Sequence, residues 1–210
     1  MSYAISREEL ANSLTHLLGV IMAPFMLLWL IYTLPVCTWQ NVFPVTVFCT
    51  SVFFMYLAST AYHFVISEKA KRILRYCDHI NIYVLIAASY TPVFICGLGG
   101  VLGWTMFGVE WTLAVAGAIY KIFCLGKYPK VSLLLYILMG WSVVAIIKPV
   151  WDLFDTYARV FMCLEAFAYT MGAYFYANSK KHAYFHAIWH VFVLVGTIAH
   201  FFLVMTLFWK

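Results

Sequence analysis

The sequence predicts an all-α integral membrane protein: a bundle of seven transmembrane helices that forms one domain over residues 1–210. Of the 210 residues, 65% are hydrophobic and 10% are charged, whereas soluble domains average about 45–50% apolar and about 25% charged residues. A bilayer does not demand the charged surface that water demands, so this composition suits a multi-pass membrane protein. We therefore attribute the net charge of +5 to membrane topology and not to nucleic-acid binding.

Seven apolar segments are each near the roughly 20 residues that cross a bilayer. The first is no cleavable signal, because Glu8 and Glu9 precede it and the apolar run is too long. The connections are too short for a soluble domain, and the six cysteines form no C-x-x-C pair and are interpreted as packing residues. The predicted spans are residues 14–34, 42–66, 78–97, 102–123, 131–149, 157–176 and 186–208.

Lysine and arginine are distributed unequally between the two sides of this bundle. Three basic residues fall on one side, Lys148, Arg159 and Lys210. The positive-inside rule therefore places the N-terminus in the cytoplasm and the C-terminus outside. The cytoplasmic side holds the other ten: Arg7, Lys69, Lys71, Arg72, Arg75, Lys121, Lys127, Lys130, Lys180 and Lys181.

Ionisable residues from three predicted helices fall at the cytoplasmic level of the membrane. His63 ends the second span, Asp78 and His79 open the third, and His186 and His190 open the seventh. The spacing of His186 and His190 puts both on one helix face, as in H-x-x-x-H zinc helices. With His63 they form a three-histidine set that leaves a fourth position open, which is typical of catalytic zinc.

Two further residues belong to this predicted site. Asp78 is placed to hold a metal-bound water or to orient a ligand. Ser59, four residues before His63 in "STAYH", shares its helix face and is placed to bond that water or a substrate carbonyl. Simpler interpretations remain open: Asp78 as a helix N-cap, Ser59 bonded to its own helix backbone, and His63 as an interfacial residue.

Other polar residues in apolar surroundings have less specific predictions. Glu9 and His16, with Asn12 between them, either cap the first helix or support the site. His200 lies deeper in the seventh span and is expected to bond another helix. Glu110 and Glu165 lie inside spans four and six, where carboxyl groups line ion paths or bond between helices.

In these motifs the chain resembles the hemolysin III family, the bacterial branch of the progestin and adipoQ receptor family. The resemblance covers nearly the whole length, and the set of S-x-x-x-H, Asp and H-x-x-x-H is shared with a superfamily that includes alkaline ceramidases. The matching stretches are "EELANSLTH", "STAYH", "RILRYCDHINIYVLIAASYTPV", "YILMGWSVVAIIKP" and "YFHAIWHVFVLVGTIAHFF".

The resemblance implies a zinc ion near the cytoplasmic face of a bacterial inner-membrane protein. The zinc histidines of the related adiponectin receptors fall on His63, His186 and His190, the aspartate that meets zinc through water falls on Asp78, and the serine falls on Ser59. The long N-terminal region of the eukaryotic receptors is absent, so receptor signalling is not implied.

Three functions follow as hypotheses. The first is a zinc-dependent hydrolase of a membrane lipid amide or ester, with Asp78 as general base and Ser59 positioning the acyl group. The second is a membrane regulator or transporter with a structural zinc, in which Glu110 and Glu165 mark an ion path or lipid cavity. The third is a cytolysin, but the sequence contains no amphipathic pore-forming segment that would support this function.

Overall fold

A computed structural model describes residues 5–208, and all regular secondary structure in that range is helical. A π-helix, Val93–Leu98, continues α3, and a 3₁₀-helix, Ser142–Ile146, joins α5 to α6. The all-α prediction is confirmed. The helices are α1 (Arg7–Thr33), α2 (Trp39–Phe64), α3 (Glu68–Pro92), α4 (Gly100–Cys124), α5 (Pro129–Gly140), α6 (Ile147–Leu153), α7 (Thr156–Asn178) and α8 (Phe185–Thr206).

Within the described residues, six helical segments are long and apolar enough to cross a membrane: α1, α2, α3 with its π-helix, α4, the segment Pro129–Leu153 and α8. Helix α7 has 23 residues, enough for about 35 Å of helix at 1.5 Å per residue, but it is not among the six. It carries Arg159 and Glu165 and is rich in tyrosine. Length and composition thus identify a multi-pass membrane protein with six candidate spans among residues 5–208, and the predicted span 157–176 corresponds to α7.

The predicted boundaries need two corrections. Helix α3 begins at Glu68 and not at residue 78, so Asp78 lies well inside the helix and is not its N-cap. The fifth segment is not one continuous helix, because α5 ends at Gly140 and α6 starts only at Ile147. The basic residue Lys210, counted in the topology prediction, lies outside the described residues.

Helix packing brings distant ends of the chain together. Helix α1 packs against both α2 and α8, and α2 also packs against α3. Gly19 permits the close approach of α1 to α2, since a Cβ there would lie 2.4 Å from the ring of Tyr56. The start of α1, the end of α2 and the start of α8 therefore meet at one end of the bundle.

A glycine turn joins α3 to α4 at the opposite end. Gly99 and Gly100 connect α3 to α4 with φ of 60° and 54°, a conformation that side chains with a Cβ rarely adopt. Gly103 does not belong to that turn, because it already lies within α4. Large apolar side chains such as Phe25, at 68% exposure, cover the outside of the bundle, as expected of a surface that faces lipid.

Candidate metal centre and adjoining cavity

Three histidines from two helices converge at the end of the bundle where α1, α2 and α8 meet. His63 lies in the last turn of α2, His186 in the first turn of α8, and His190 one turn later. One nitrogen from each ring lies within 4.8 Å of the others, and His190 is fully buried. The convergence of these three side chains, predicted from topology, is confirmed.

The hydrogen bonds of two of these rings define which nitrogen is free. Nδ1 of His190 is 3.0 Å from the backbone carbonyl of Asn12, which only accepts, so Nδ1–H donates. Nδ1 of His63 likewise donates to the Glu9 carboxylate. Each ring is therefore left with a lone pair on Nε2, and Nε2 of His190 is buried with no hydrogen-bond partner among the described residues.

The separation of two of these nitrogens fits a tetrahedral metal ion. Nε2 of His63 and Nε2 of His186 are 3.3 Å apart. Two nitrogens bound to one zinc at about 2.0–2.1 Å with tetrahedral angles stand roughly 3.3–3.4 Å from each other. The donor set is chemically suitable as well, because neutral imidazole is a common zinc ligand and the Nδ1 partners fix the ring orientation.

Helix α1 supplies the supports of this centre. The carboxylate of Glu9 bonds to His63 with one oxygen and accepts from Nζ of Lys71 at 2.8 Å with the other. His16 stacks on His190, with ring centroids 3.5 Å apart. The motif "EELANSLTH" therefore supports the site, and the capping role at the start of α1 falls to Ser6, which accepts from the backbone N–H of Glu9.

A second contact ties α1 to the loop that leads into α8. Glu8 accepts a hydrogen bond from the backbone N–H of Tyr184 at 3.2 Å. Tyr184 has φ of 62°, the one positive φ of a non-glycine residue in the described part of the chain. Such a conformation persists only where the surroundings hold it. Here it sets the start of α8 two residues before His186.

Asp78 and Ser59 lie next to each other on the neighbouring helices α3 and α2. Both side chains are buried, Ser59 interacts with the Asp78 carboxyl, and the Ser59 hydroxyl has no regular hydrogen-bond partner among the described residues. The simpler interpretation was that the Ser59 hydroxyl bonds to the backbone of its own helix. The structure does not show that bond. Asp78 is not one of the three grouped ligands.

Lys121 is a site residue that sequence reasoning missed. It was assigned to topology, but its side chain is buried, 2% exposed, and it acts electrostatically on Asp78 together with Arg75. Its ammonium group also lies over the Tyr136 ring, 5.3 Å from the centroid. A lysine within an apolar helix is the signal that would have identified it.

A largely apolar cavity of about 380 Å³ runs through the bundle beside Asp78. Its volume is typical of small-molecule sites. Asp78 and His16 line the cavity on the side of the histidine centre, and Glu165 and His200 contribute polar groups farther along. At 1.5 Å per residue, His200 lies about 15 Å along α8 from His190.

Glu165 and His200 form a hydrogen-bonded pair in the wall of this cavity. Nδ1 of His200 is 2.7 Å from the Glu165 carboxyl on α7, and Nε2 is 2.8 Å from the backbone carbonyl of Ser89 on α3. The predicted bond from His200 to another helix is confirmed. The Ser89 carbonyl only accepts, so Nε2–H donates, and the pair shares one proton and is neutral overall.

Comparison with known proteins gives a consistent result over most of the chain. The family described as "Haemolysin-III related" matches residues 5–201. "Hemolysin-3" of Bacillus cereus is 38% identical over 200 residues, 95% of this chain and 91% of that protein. "Hemolysin-3 homolog" of Bacillus subtilis is 36% identical over 200 residues, 95% of this chain and 93% of that protein.

A human protein is also similar over part of the chain. "Monocyte to macrophage differentiation factor" of Homo sapiens is 28% identical over 161 residues, 74% of this chain and 65% of that protein. These findings confirm the resemblance that the sequence motifs indicated.

Proposed function

The chain belongs to the haemolysin-III-related family, and we propose that it is a zinc-dependent hydrolase of a membrane lipid amide or ester. The observation that supports this most is the convergence of His63, His186 and His190, together with an apolar cavity lined by the buried Asp78 and by His16, the ring that stacks on His190. A lipid hydrolase needs all three features: a metal site, an acid–base group and a space for acyl chains.

His63, His186 and His190 would hold the metal through their Nε2 atoms. Three imidazoles suit zinc, although the same donors accept other divalent ions. When bound, such an ion polarises a substrate carbonyl and acidifies water. Glu9 and the Asn12 carbonyl keep two of the rings in the ligating tautomer.

Asp78 and Ser59 perform the remaining steps. Asp78 accepts a proton from the attacking water as the oxygen–carbon bond to the acyl group forms. It returns that proton to the leaving nitrogen or oxygen as the amide or ester bond breaks. Ser59, whose hydroxyl has no regular hydrogen-bond partner, donates to the acyl oxygen. Lys121 offsets the buried negative charge of Asp78.

The substrate class follows from the cavity and the membrane. The acyl chain occupies the apolar cavity between Asp78 and the Glu165–His200 pair, and the polar headgroup remains near the histidine centre. Membrane lipid is then the partner, and the bacterial inner membrane the location. We further propose that α7 spans the membrane as the seventh helix, with the N-terminus cytoplasmic and the C-terminus outside.

The test is turnover of acyl lipids by the purified, fully zinc-loaded protein, with ceramide-like amides and acyl esters as substrates. We expect release of free fatty acid that is lost in Asp78→Asn while zinc remains bound. If no lipid of either class is cleaved by the metal-loaded protein, the hydrolase proposal is wrong.

A second candidate is a membrane regulator or transporter in which the metal is structural. The buried carboxyl group of Glu110 and the partly buried one of Glu165 favour it. Changed ion flux in Glu110→Gln and Glu165→Gln, with His190→Ala only destabilising the protein, would support this candidate. The third, a cytolysin, corresponds to the names of the two Bacillus relatives, and dose-dependent lysis by purified protein without detergent would support it.

A further inference from the structure

The membrane segment Pro129–Leu153 is broken in its middle, where it neighbours α4. Helix α5 ends at Gly140, and the 3₁₀-helix Ser142–Ile146 intervenes before α6. Non-helical backbone at membrane depth is tolerated where it is buried in protein or lines a cavity. Gly140 and Trp141 line the cavity described above. In transporters, broken helices of this kind accompany sites for small cations.

Glu110 of α4 is enclosed next to this break. Its side chain is fully buried, and neither carboxyl oxygen has a regular hydrogen-bond partner among residues 5–208. It forms no ion pair within that range. Its polar neighbour is Ser142, the first residue of the 3₁₀-helix, and the Ser142 hydroxyl is buried without a regular partner as well.

Tyr90 fixes the geometry of the break. Its hydroxyl donates to the Gly140 carbonyl, and the same hydroxyl lies beside Ser142 and near Glu110. The Tyr90 proton is therefore directed to the backbone carbonyl and not to the Glu110 carboxyl group. The contrast with Glu165 is clear, because that carboxyl group is bonded to His200 at 2.7 Å whereas Glu110 has no histidine, lysine or arginine partner in the described chain.

The chemistry of these groups selects one kind of ligand. A buried carboxylate without a counter-charge is strongly unfavourable, and oxygen donors without partners suit hard cations. A single carboxylate is neutralised by one positive charge, so a divalent ion would leave an excess charge in a low-dielectric region. A proton would also neutralise Glu110, with the Ser142 hydroxyl accepting its O–H, so a sodium response at constant pH is what distinguishes a bound cation from a bound proton.

We propose that Glu110 and Ser142 bind a small monovalent metal cation, sodium in the first instance, at the break between α5 and α6. This site is separate from the three-histidine centre and does not depend on the hydrolase proposal.

The experiment measures the melting temperature of the purified full-length protein in detergent as sodium chloride replaces choline chloride at constant ionic strength and pH. We expect the wild-type melting temperature to rise with sodium and to saturate, because a ligand that binds only the folded state stabilises it. Glu110→Gln should lose this response, and Ser142→Ala should need roughly tenfold more sodium. Glu165→Gln is the matched control and should respond as the wild type does.

Two results would overturn the proposal: a wild-type melting temperature that does not respond to sodium, or an equal response in Glu110→Gln. If Glu110→Gln does not fold, binding of radioactive sodium to the wild-type protein decides instead. We expect about one bound ion per chain, weakened in Ser142→Ala and retained in Glu165→Gln. Absence of bound sodium would contradict the site.

Discussion

The Glu9 carboxylate on α1 accepts a hydrogen bond from Nδ1 of His63 on α2, a residue 54 positions later in the chain. The second carboxylate oxygen accepts from Nζ of Lys71 on α3 at 2.8 Å. One side chain therefore links three helices and orients a ring of the histidine centre. Carboxylate–histidine pairs of this kind fix the tautomer of metal ligands.

Glu9→Gln should weaken metal binding without abolishing it. The amide keeps the shape of the side chain but loses the charge that holds the Nδ1 proton of His63 and the Lys71 ammonium group. Loss of such a partner typically costs about 10–100-fold in metal affinity. Competition with a zinc chelator of known affinity measures the change. Glu68→Gln, at the start of α3, is the control, and equal weakening in both variants would refute the role of Glu9.

Asp78→Asn should abolish lipid hydrolysis while leaving the metal bound. The variant cannot accept a proton, and loss of a general base lowers the rate by about 10²–10⁴-fold. Metal content is expected to stay at the wild-type level, because Asp78 is not one of the three grouped ligands. Asp152→Asn, which alters a surface pair with Lys148, is the control. Wild-type turnover in Asp78→Asn would exclude Asp78 as the base.

Glu165→Ala should destabilise the protein more than Glu165→Gln does. Alanine leaves Nδ1 of the buried His200 without its partner, and an unsatisfied buried group costs about 1–3 kcal/mol. Glutamine keeps a partner for the ring, because its amide N–H can donate to the Nδ1 lone pair that remains when Nε2–H donates to Ser89. Thermal unfolding in detergent compares the two variants with the wild type. Indistinguishable melting temperatures would mean that the Glu165–His200 bond contributes no net stability.

The number of spans determines the side on which the C-terminus lies. If α7 crosses the membrane, seven spans place the two termini on opposite sides, whereas six spans place them on the same side. Reporter fusions that are active only on one side of the membrane, attached to each terminus in turn, distinguish these arrangements. We expect a cytoplasmic N-terminus and an external C-terminus, and matching signals at both ends would contradict the seven-span topology.

Much of the site could be predicted from the sequence, because the direction of each span fixes the depth in the membrane at which its residues lie. The i, i+4 spacing of His186 and His190 places them on one face, and an antiparallel partner brings His63 to the same end of the bundle. Local patterns were sufficient here, because the prediction required only the ends of helices and the direction of each span.

The features of the site that could not be predicted from the sequence depend on how the helices pack against one another. The pairing of Glu9 with His63 depends on the rotation of α1 against α2, and the burial of Lys121 depends on how α4 packs on α3. The break at Gly140 was missed as well, because "YILMGWSVVAIIKP" is continuously apolar and its periodicity does not reveal an interrupted helix. The lower hydropathy of α7 reflects the polar residues that face the cavity, such as Glu165 and Tyr169.

The most direct test of the histidine centre is elemental analysis of the purified protein beside His63→Ala, His186→Ala and His190→Ala, with His182→Ala as the control outside the site. We expect about one zinc per chain in the wild type and in the control, and loss of zinc in each of the three variants. A folded wild-type protein that binds no zinc after zinc is supplied would contradict the metal centre and the hydrolase proposal that depends on it.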